Sequence, residues 1–297
     1  MLYNLRNMIY VIVGPTGGGK TKTAIELADY LNCPIINGDA FQIYKDMNIG
    51  TAKISQDDPN YKKHYLLDIC SPEESYSVKR YQEDFRKVID TLLKDNKDIV
   101  ICGGTGLYIK AALYDYDFST EDEDDSSDLE NLTNEQLFEM LKKLDYESSF
   151  VIHPNNRKRM IRAINIALKH QITKSENEKR QEHKLLYSNV VFYMISPNRE
   201  ELYERINQRV DIMFDEGLVE EVKGLLNKYN LSLTSKAAIG YKEVISYLNK
   251  EISLDECKEL IKKRSRNYAK RQVTFFKNQL DVKVFTSGEE VIKAIKE

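Results

Sequence analysis

A glycine-rich segment near the start of the chain limits the possible folds more than any other feature. Residues 14–21 read Gly-Pro-Thr-Gly-Gly-Gly-Lys-Thr, which satisfies the pattern G-x-x-x-x-G-K-[ST]. An apolar, β-rich run from Met8 to Val13 precedes it, and apolar residues recur at helical spacing from Ala24 to Leu31. A strand, a glycine-rich turn and a helix in this order predict a phosphate-binding loop within an α/β domain.

Each part of this loop has an expected role. The glycines let successive backbone N–H groups converge on phosphate oxygens, Lys20 adds a positive charge, and the Thr21 hydroxyl suits Mg²⁺. The alternative is a merely glycine-rich turn. The residues expected to bind the phosphate groups are Gly14, Pro15, Thr16, Gly17, Gly18, Gly19, Lys20 and Thr21.

The sequence lacks the acidic residue that usually accompanies the phosphate loop of an ATP-hydrolysing protein. Such a protein places an acidic residue at the end of a nearby apolar strand to help hold Mg²⁺, but the strand candidate 99–102 ends in Gly-Gly-Thr-Gly. The loop is therefore a candidate for binding a diphosphate that leaves. Asp39 follows the strand candidate 34–37, at the edge where parallel sheets bind ligands. It is positioned to accept a proton from a nucleophile, and its alternative role is a helix N-cap or turn residue.

Helical patterns interrupt the alternation of strands and helices. A capping-box pattern at Thr133 to Gln136 opens one predicted helix, a second covers about 156–169, and strand character returns only at Val190 to Ile195. We predict a P-loop NTPase-like core, in which helices flank a parallel sheet, formed by residues 1–112 and 190–297. Residues 113–189 form a predicted helical insertion domain.

Charge is distributed unevenly along the chain. The segment Asp115–Glu130 has nine acidic residues and no basic one, which leaves 38 acidic against 44 basic residues elsewhere. This segment is expected to be a mobile loop. Residues 153–184 carry nine Lys or Arg against three Glu, and residues 258–277 carry eight against one. Two such stretches predict a polyanion-binding surface, with two solvated helix faces as the alternative.

The composition and the cysteines indicate a cytoplasmic protein. With 41% apolar and 31% charged residues, the chain is neither disordered nor collagen-like. The six-residue apolar run Met8–Val13 is too short for a signal peptide or a membrane span. The four cysteines lie far apart without a C-x-x-C pair, so we expect reduced thiols and no Cys-based zinc site.

Several other segments are more specific than the phosphate loop. They are, in chain order, residues 38–53 (containing D-A-F-Q-I-Y-K and I-G-T-A-K), 64–69, 103–108 (G-G-T-G-L-Y), 152–155 followed by Arg159 and Arg162, 239–243, and 268–274 (Y-A-K-R-Q-V-T). Together with the phosphate loop they extend over nearly the whole chain. In this combination the sequence resembles the bacterial tRNA dimethylallyltransferases.

The resemblance implies a reaction and its participants. A dimethylallyl group passes from dimethylallyl diphosphate to N6 of adenosine 37, beside the tRNA anticodon, with Mg²⁺ as cofactor and with no phosphoryl transfer. Asp39 matches the residue proposed as base for the adenine amino group, Thr16 a threonine beside the reacting centre, and Arg209 an arginine that holds the diphosphate. The partners are then dimethylallyl diphosphate and the tRNA anticodon stem-loop. We expect a monomer without membrane association.

The resemblance also implies which residues contact the tRNA. One group receives the target base and its neighbours, and a second contacts the anticodon stem or other parts of the RNA. The first group is Asp39, Ala40, Phe41, Gln42 and Thr105, and the second is Arg159, Arg162, Lys270 and Arg271. Surface charge without a partner is the alternative for the second group. The target adenine must leave the anticodon-loop stack to reach a buried site.

Two departures from the family pattern affect the expected RNA contacts. Members usually carry Trp and Arg after the K-R-Q-x-T segment, where this chain has Phe275-Phe276-Lys277, and the acidic residues Glu121 to Asp125 would repel a nearby phosphate backbone. The alternative functions are an adenylate isopentenyltransferase acting on free nucleotide, a P-loop small-molecule kinase, and a non-enzymatic RNA-binding protein. Label transfer from dimethylallyl diphosphate to tRNA without ATP separates all of these.

Overall fold

A computed structural model describes residues 7–118, 129–170 and 172–297. The chain divides into two compact units, which we call the core unit (Met1–Leu113 and Tyr187–Glu297) and the insertion unit (Tyr114–Leu186). The insertion domain predicted from the sequence covers residues 113–189, and the insertion unit lies within these bounds. The acidic segment Asp115–Glu130 was predicted to be a mobile loop, in which Glu121 to Asp125 would repel a nearby phosphate backbone. Positions 119–128 of this segment lie outside the described residues.

The core unit contains one sheet of six strands in the order β3-β2-β4-β1-β5-β6. All of the paired strands are parallel, so the predicted α/β fold is confirmed. The two edge strands β3 and β6 were not predicted. The strands are β1 (Ile9–Val13), β2 (Ile35–Asn37), β3 (His64–Tyr65), β4 (Ile99–Gly103), β5 (Val190–Ile195) and β6 (Val282–Phe285).

Thirteen helices are present in the described part of the chain. The predicted capping box opens α4, where Thr133 and Gln136 cap each other reciprocally. The helices are α1 (Lys20–Leu31), α2 (Val78–Lys94), α3 (Gly106–Leu113), α4 (Asn134–Leu144), α5 (Tyr146–Val151), α6 (Arg157–His170), α7 (Lys174–Arg180), α8 (Arg199–Asp215), α9 (Leu218–Lys228), α10 (Leu233–Lys236), α11 (Tyr241–Leu248), α12 (Leu254–Gln279) and α13 (Gly288–Lys296).

The central strands are apolar along their whole length because both faces of the sheet are covered. Successive residues of a strand point to opposite faces, and Val11, Ile12 and Val13 are all fully buried. On one face, Ile12 belongs to a cluster with Leu27 of α1 and Val291 of α13. This arrangement leaves the carboxyl ends of β1, β2 and β4 beside one another, where open α/β sheets bind their ligands.

The end of β4 lies unusually close to the chain that leaves β2. A Cβ atom at Gly103 would stand 2.2 Å from the carbonyl carbon and oxygen of Gly38, and backbone cannot move aside as a side chain can.

We expect Gly103→Ala to lower the free energy of unfolding by about 1–3 kcal/mol. Gly224 in α9 is the matched control, since no atom lies within 4 Å of a Cβ there. Gly224→Ala should stabilise the helix by about 0.5–1 kcal/mol. Urea unfolding curves of equal midpoint for the two variants would contradict this steric argument.

The insertion unit has its own small core. Leu137 and Leu141 of α4 pack with Met160 and Ile164 of α6. Burial would raise the pKa of the Asp145 carboxyl, but hydrogen bonds from Ser148 and Ser175 outweigh it and hold that pKa below its usual value. The Asp145 carboxylate thereby joins the start of α5 to that of α7.

Two further predictions concern membrane spans and the state of the cysteines. No helix in 7–118, 129–170 or 172–297 combines the length and the apolar character that crossing a membrane requires. The four cysteines, Cys33, Cys70, Cys102 and Cys257, are all free thiols.

Candidate active site

A cavity of about 300 Å³ opens at the carboxyl ends of β1, β2 and β4. Its lining comes from the phosphate loop, the segment after β2, the end of β4, and helices α8 and α12, all within the core unit. Eight of the residues singled out in the sequence line this one cavity. They are Thr16, Lys20, Thr21, Asp39, Phe41, Gln42, Arg209 and Arg271.

The phosphate loop has the backbone shape that its glycines allow. Gly17 and Gly19 have φ angles of +76° and +90°, a region that L side chains rarely adopt. The Gly18 N–H donates to the carbonyl of Pro15 over 3.1 Å, which closes the turn. Helix α1 then begins at Lys20, so its unpaired N–H groups and the positive end of its dipole meet the loop.

Lys20 and Arg209 lie near the Asp39 carboxylate in the cavity, which Arg271 also lines. Burial lowers the pKa of Lys20 and of Arg209, whereas the nearby Asp39 carboxylate favours the charged form of each. Arg209 also lowers the pKa of Lys20, so the two cations repel each other. The Lys20 ammonium donates to the carbonyl of Pro15 over 2.9 Å. A polyanionic ligand would relieve this repulsion, and the cavity therefore favours a diphosphate over a neutral ligand.

Asp39 lies in a turn and also faces the cavity. Its Oδ1 accepts a hydrogen bond of 3.0 Å from the N–H of Phe41, which is the turn role considered as the alternative. The buried Asn37 side chain holds the Asp39 backbone on both sides, accepting from its N–H at 3.0 Å and donating to its carbonyl at 3.1 Å. Among the described residues nothing donates to Oδ2. One carboxylate oxygen thus fixes the turn, and the other is available as a base.

The segment Thr51–Ala52 forms another part of the lining. The Gln42 side-chain amide donates to the carbonyl of Thr51 over 3.1 Å, and Arg209 reaches the same oxygen at 3.4 Å. The adjoining turn is held by Glu221, whose carboxylate accepts from the N–H groups of residues 48–50. Arg209 therefore rests against a backbone oxygen, and most of its five N–H donors remain available.

Much of the remaining lining is apolar. Ile206, Val210 and Met213 lie on the same face of α8 as Arg209 and line the cavity with it. Ile239 and Ile261 add further apolar surface. The cavity thus offers cations for a phosphate group and hydrocarbon surface for an apolar group in one enclosure.

The thiol of Cys102 also lines the cavity. Burial raises the pKa of Cys102 to about 11, Asp39 adds to this effect, and Lys20 and Thr21 oppose it. The thiol is consequently neutral near pH 7 and does not supply a thiolate nucleophile.

The cavity residues are compatible with the Mg²⁺ that the phosphate loop suggests. No group of three or more His, Cys, Asp or Glu side chains in the described ranges is arranged to hold a metal ion. Mg²⁺ is usually held by one or two protein oxygens together with substrate phosphates and water. The Thr21 hydroxyl, which lines the cavity, fits that mode of binding.

Other predicted contacts lie beside the cavity or in the other unit. The Ala40 N–H donates to the Thr105 hydroxyl over 2.9 Å, which joins the loop after β2 to the loop after β4. Lys270 lines a groove along α12, and Arg271 lines both that groove and the cavity. Arg159 and Arg162 are exposed on α6 of the insertion unit.

The two basic stretches contain both structural and unpaired cations. Arg157 donates to the carbonyls of Leu129 and Leu132 and so belongs to the fold of the insertion unit. Lys262 pairs with Asp211 and Arg264 with Glu243. In contrast, Arg159, Lys270 and Arg271 form no ion pair with any residue that the structure describes. These last three are therefore among the cations available to an external polyanion.

Two side chains of the site received no role from the sequence, although both belong to the segment 268–274 that carries the family resemblance. Gln272 and Tyr268 both line the cavity from α12. Burial, followed by the charge of Asp39, raises the pKa of Tyr268 to about 12. A signal was present in the helix pattern, since Gln272 is a polar residue between the core-facing positions Ala269 and Phe276. The departure at Phe275-Phe276 has a packing role, with Phe276 fully buried and Phe275 against Gly106.

Comparison with known proteins identifies the family. The model of the IPP transferase family matches residues 42–279. A tRNA dimethylallyltransferase of Anoxybacillus flavithermus is 45% identical over 286 residues, which cover 96% of this chain and 92% of that protein.

Solved structures agree with this match. A crystal structure of the tRNA delta(2)-isopentenylpyrophosphate transferase of Staphylococcus epidermidis is similar with a TM-score of 0.71 and 39% identity, over 98% of this chain and 99% of that one. A eukaryotic dimethylallyltransferase, crystallised in states acting on tRNA, is similar with a TM-score of 0.79 and 27% identity, over 94% and 74% of the two chains. On the sheet, the cavity and these similarities, the chain belongs to the IPP transferase family.

Proposed function

We propose that this protein transfers a dimethylallyl group from dimethylallyl diphosphate to N6 of adenosine 37 in tRNA and releases diphosphate. The observation that carries the proposal is the composition of the cavity. Lys20 and Arg209 face the same space as a carboxylate with a free oxygen, and apolar side chains of α8 complete the lining. The cations match a diphosphate, and the apolar side chains match a five-carbon hydrocarbon group. The carboxylate matches a nucleophile that loses a proton.

The reaction assigns a role to each charged group. The adenine N6 nitrogen forms a bond to C1 of the dimethylallyl group while the bond from C1 to the diphosphate oxygen breaks, and the bonding electrons leave with the diphosphate. Lys20, Arg209 and the loop amides stabilise the negative charge that develops on the leaving group. The free Oδ2 oxygen of Asp39 accepts the proton that N6 loses. When bound at Thr21, Mg²⁺ would add further positive charge against the diphosphate.

The exposed cations favour RNA over a free nucleotide as the acceptor. Lys270 and Arg271 are neighbours on the exposed side of α12, and Arg271 reaches the cavity. A free nucleotide would need neither these cations nor Arg159 on α6. Because the cavity is enclosed, the target adenine must leave its stack to enter it. We further propose a monomer that acts on tRNA in the cytosol.

Label transfer tests the proposed function directly. The protein is incubated with Mg²⁺, dimethylallyl diphosphate labelled in the hydrocarbon group, and unmodified tRNA, without ATP. We expect label in the tRNA and none in AMP or ATP offered instead. Label in free nucleotide would support an adenylate isopentenyltransferase, and transfer of γ-labelled phosphate from ATP to a small molecule would support a kinase.

The salt dependence of tRNA binding tests the predicted RNA surface. Each phosphate that the protein neutralises contributes roughly one unit to the slope of log affinity against log salt concentration. Replacement of Arg159, Arg162, Lys270 and Arg271 by alanine should therefore weaken tRNA binding and flatten this slope by roughly one for each phosphate that is no longer neutralised. With Arg271 retained because it also lines the cavity, the triple variant of Arg159, Arg162 and Lys270 should change little in its rate at saturating tRNA, because these three side chains lie outside the cavity.

A charge-matched variant controls for the loss of net positive charge. Lys62, Lys94, Lys242 and Lys250 are exposed in the core unit and lie outside both basic stretches. Their replacement by alanine removes the same formal charge and should leave the slope nearly unchanged. Equal slopes for the wild type and the first quadruple variant would show that the basic stretches are solvated helix faces and that the RNA binds elsewhere.

A further inference from the structure

Resting on the proposed function, we infer that Gln272 is a positioning residue that sets the geometry of Thr16 and of the β4–α3 loop around the reacting centre. Gln272 is nearly buried in α12, with 5% of its surface exposed. Its side chain joins two loops that are distant from it in sequence and that both border the cavity.

The two hydrogen bonds of the Gln272 amide have opposite directions. Its Oε1 accepts from the backbone N–H of Thr16 in the phosphate loop at 2.8 Å. Its Nε2 donates to the carbonyl of Gly104, after β4, also at 2.8 Å. An amide supplies both the acceptor and the donor for these two partners, whereas a carboxylate lacks the donor and an apolar side chain lacks both.

The bond to Thr16 affects the part of the loop nearest the chemistry. Thr16 lines the cavity together with Lys20 and Asp39. Its N–H is held by protein and is therefore not among the amides free to bind phosphate. Gln272 thus fixes the backbone that carries the Thr16 side chain before any ligand arrives.

The close approach at Gly104 offers an independent way to disturb the same contact. A Cβ atom at position 104 would stand 2.3 Å from Nε2 of Gln272, and the next side chain, that of Asp39, would be 3.7 Å away. An alanine at position 104 must therefore displace the Gln272 amide. If Gln272 acts by position, Gly104→Ala should reproduce much of the effect of removing the amide.

Helix α12 thus has different roles on its two sides. The buried side carries Gln272, which contacts the loops of the site. Lys270 and Arg271 precede it directly on the exposed side and are the cations proposed to meet RNA. A tRNA bound on the exposed side is therefore one residue away from the side chain that positions Thr16.

The test compares Gln272→Met with a matched variant on the same helix. Met has a similar volume and makes neither hydrogen bond. We expect the single-turnover rate of prenyl transfer to fall roughly 10- to 100-fold, as small misplacements of reacting groups do, with little change in the KM of either substrate. Gln279→Met is the control, because Gln279 joins α12 to α3 by accepting from Lys110 at 2.7 Å and lines the groove of Lys270 and not the cavity. Its rate at saturating tRNA should match the wild type.

A second readout does not depend on activity. Amide hydrogen exchange at Thr16, measured without substrates, should accelerate in Gln272→Met and in Gly104→Ala but not in Gln279→Met. Thermal unfolding of each variant shows whether it is folded. If the wild type fails to modify tRNA, the proposed function fails, and the exchange at Thr16 still tests the positioning role. Wild-type rates and exchange in Gln272→Met, or an equal loss of rate in Gln279→Met, would overturn the inference.

Discussion

Replacement of Asp39 by alanine is expected to lower the single-turnover rate of prenyl transfer by about 10²–10⁴-fold, the usual contribution of a general base. The reason is geometric, since Asp39 lines the cavity with Lys20 and its Oδ2 has no donor among the described residues. Affinity for tRNA should stay within roughly an order of magnitude, because a proton acceptor contributes little to holding the RNA. Rapid-quench measurement with enzyme in excess reports this rate directly.

Asp39→Asn separates the two roles of the side chain. An asparagine oxygen can still accept from the N–H of Phe41 and so keep the turn. The amide cannot act as the base, and we expect Asp39→Asn to be nearly as slow as Asp39→Ala. A near-normal rate in Asp39→Asn combined with a slow Asp39→Ala would make Asp39 a turn residue only. Near-normal rates in both variants would remove it from the mechanism.

Loss of either cation in the cavity should act on the diphosphate. We expect Lys20→Ala and Arg209→Ala each to lower kcat/KM for dimethylallyl diphosphate by roughly 10²–10³-fold, similar to the loss of one donor to a developing anion. Binding of tRNA should change far less, because both side chains face the enclosed cavity. Steady-state kinetics with each substrate varied in turn, together with tRNA binding measurements, give these values.

Arg205→Ala is the matched control for Arg209. Arg205 lies on the same helix, pairs with Glu201 at the surface and does not line the cavity. Its loss should leave kcat/KM for dimethylallyl diphosphate unchanged. If Arg209→Ala changes only the affinity for tRNA, Arg209 contacts the RNA and its assignment to the diphosphate is wrong.

The parts of the fold that could be predicted are those specified by local pattern. The strand, loop and helix around residues 9–31, and strands β4 and β5, follow from apolar runs that end at turn residues. Strand β6 lies at the sheet edge, where two exposed residues lie between two half-buried ones without alternation, and β3 has only two residues. Neither has a local pattern that separates it from a loop. Pairing with β5 and β2 defines them.

The same distinction applies to the candidate site. The phosphate loop and Asp39 follow strand ends, so a parallel sheet brings them to one edge. Arg209 was assigned only by family resemblance, and in the structure it lies one turn of α8 from Ile206 and faces the same cavity. Gln272 belongs to the motif 268–274 but was assigned no role, because its partner Thr16 is 256 residues away in sequence. No local pattern encodes such a contact, and the packing of α12 on the core unit creates it.

Analysis of the modified nucleoside shows directly whether the protein transfers a dimethylallyl group to N6 of adenosine 37. Unmodified tRNA is treated with the protein, Mg²⁺ and dimethylallyl diphosphate alone, and is then digested and analysed by mass spectrometry for the identity and position of the product. We expect N6-dimethylallyl-adenosine at position 37 in the wild-type reaction, with a large reduction in Asp39→Asn. A tRNA that stays unmodified, or a product at another atom or position, would contradict it.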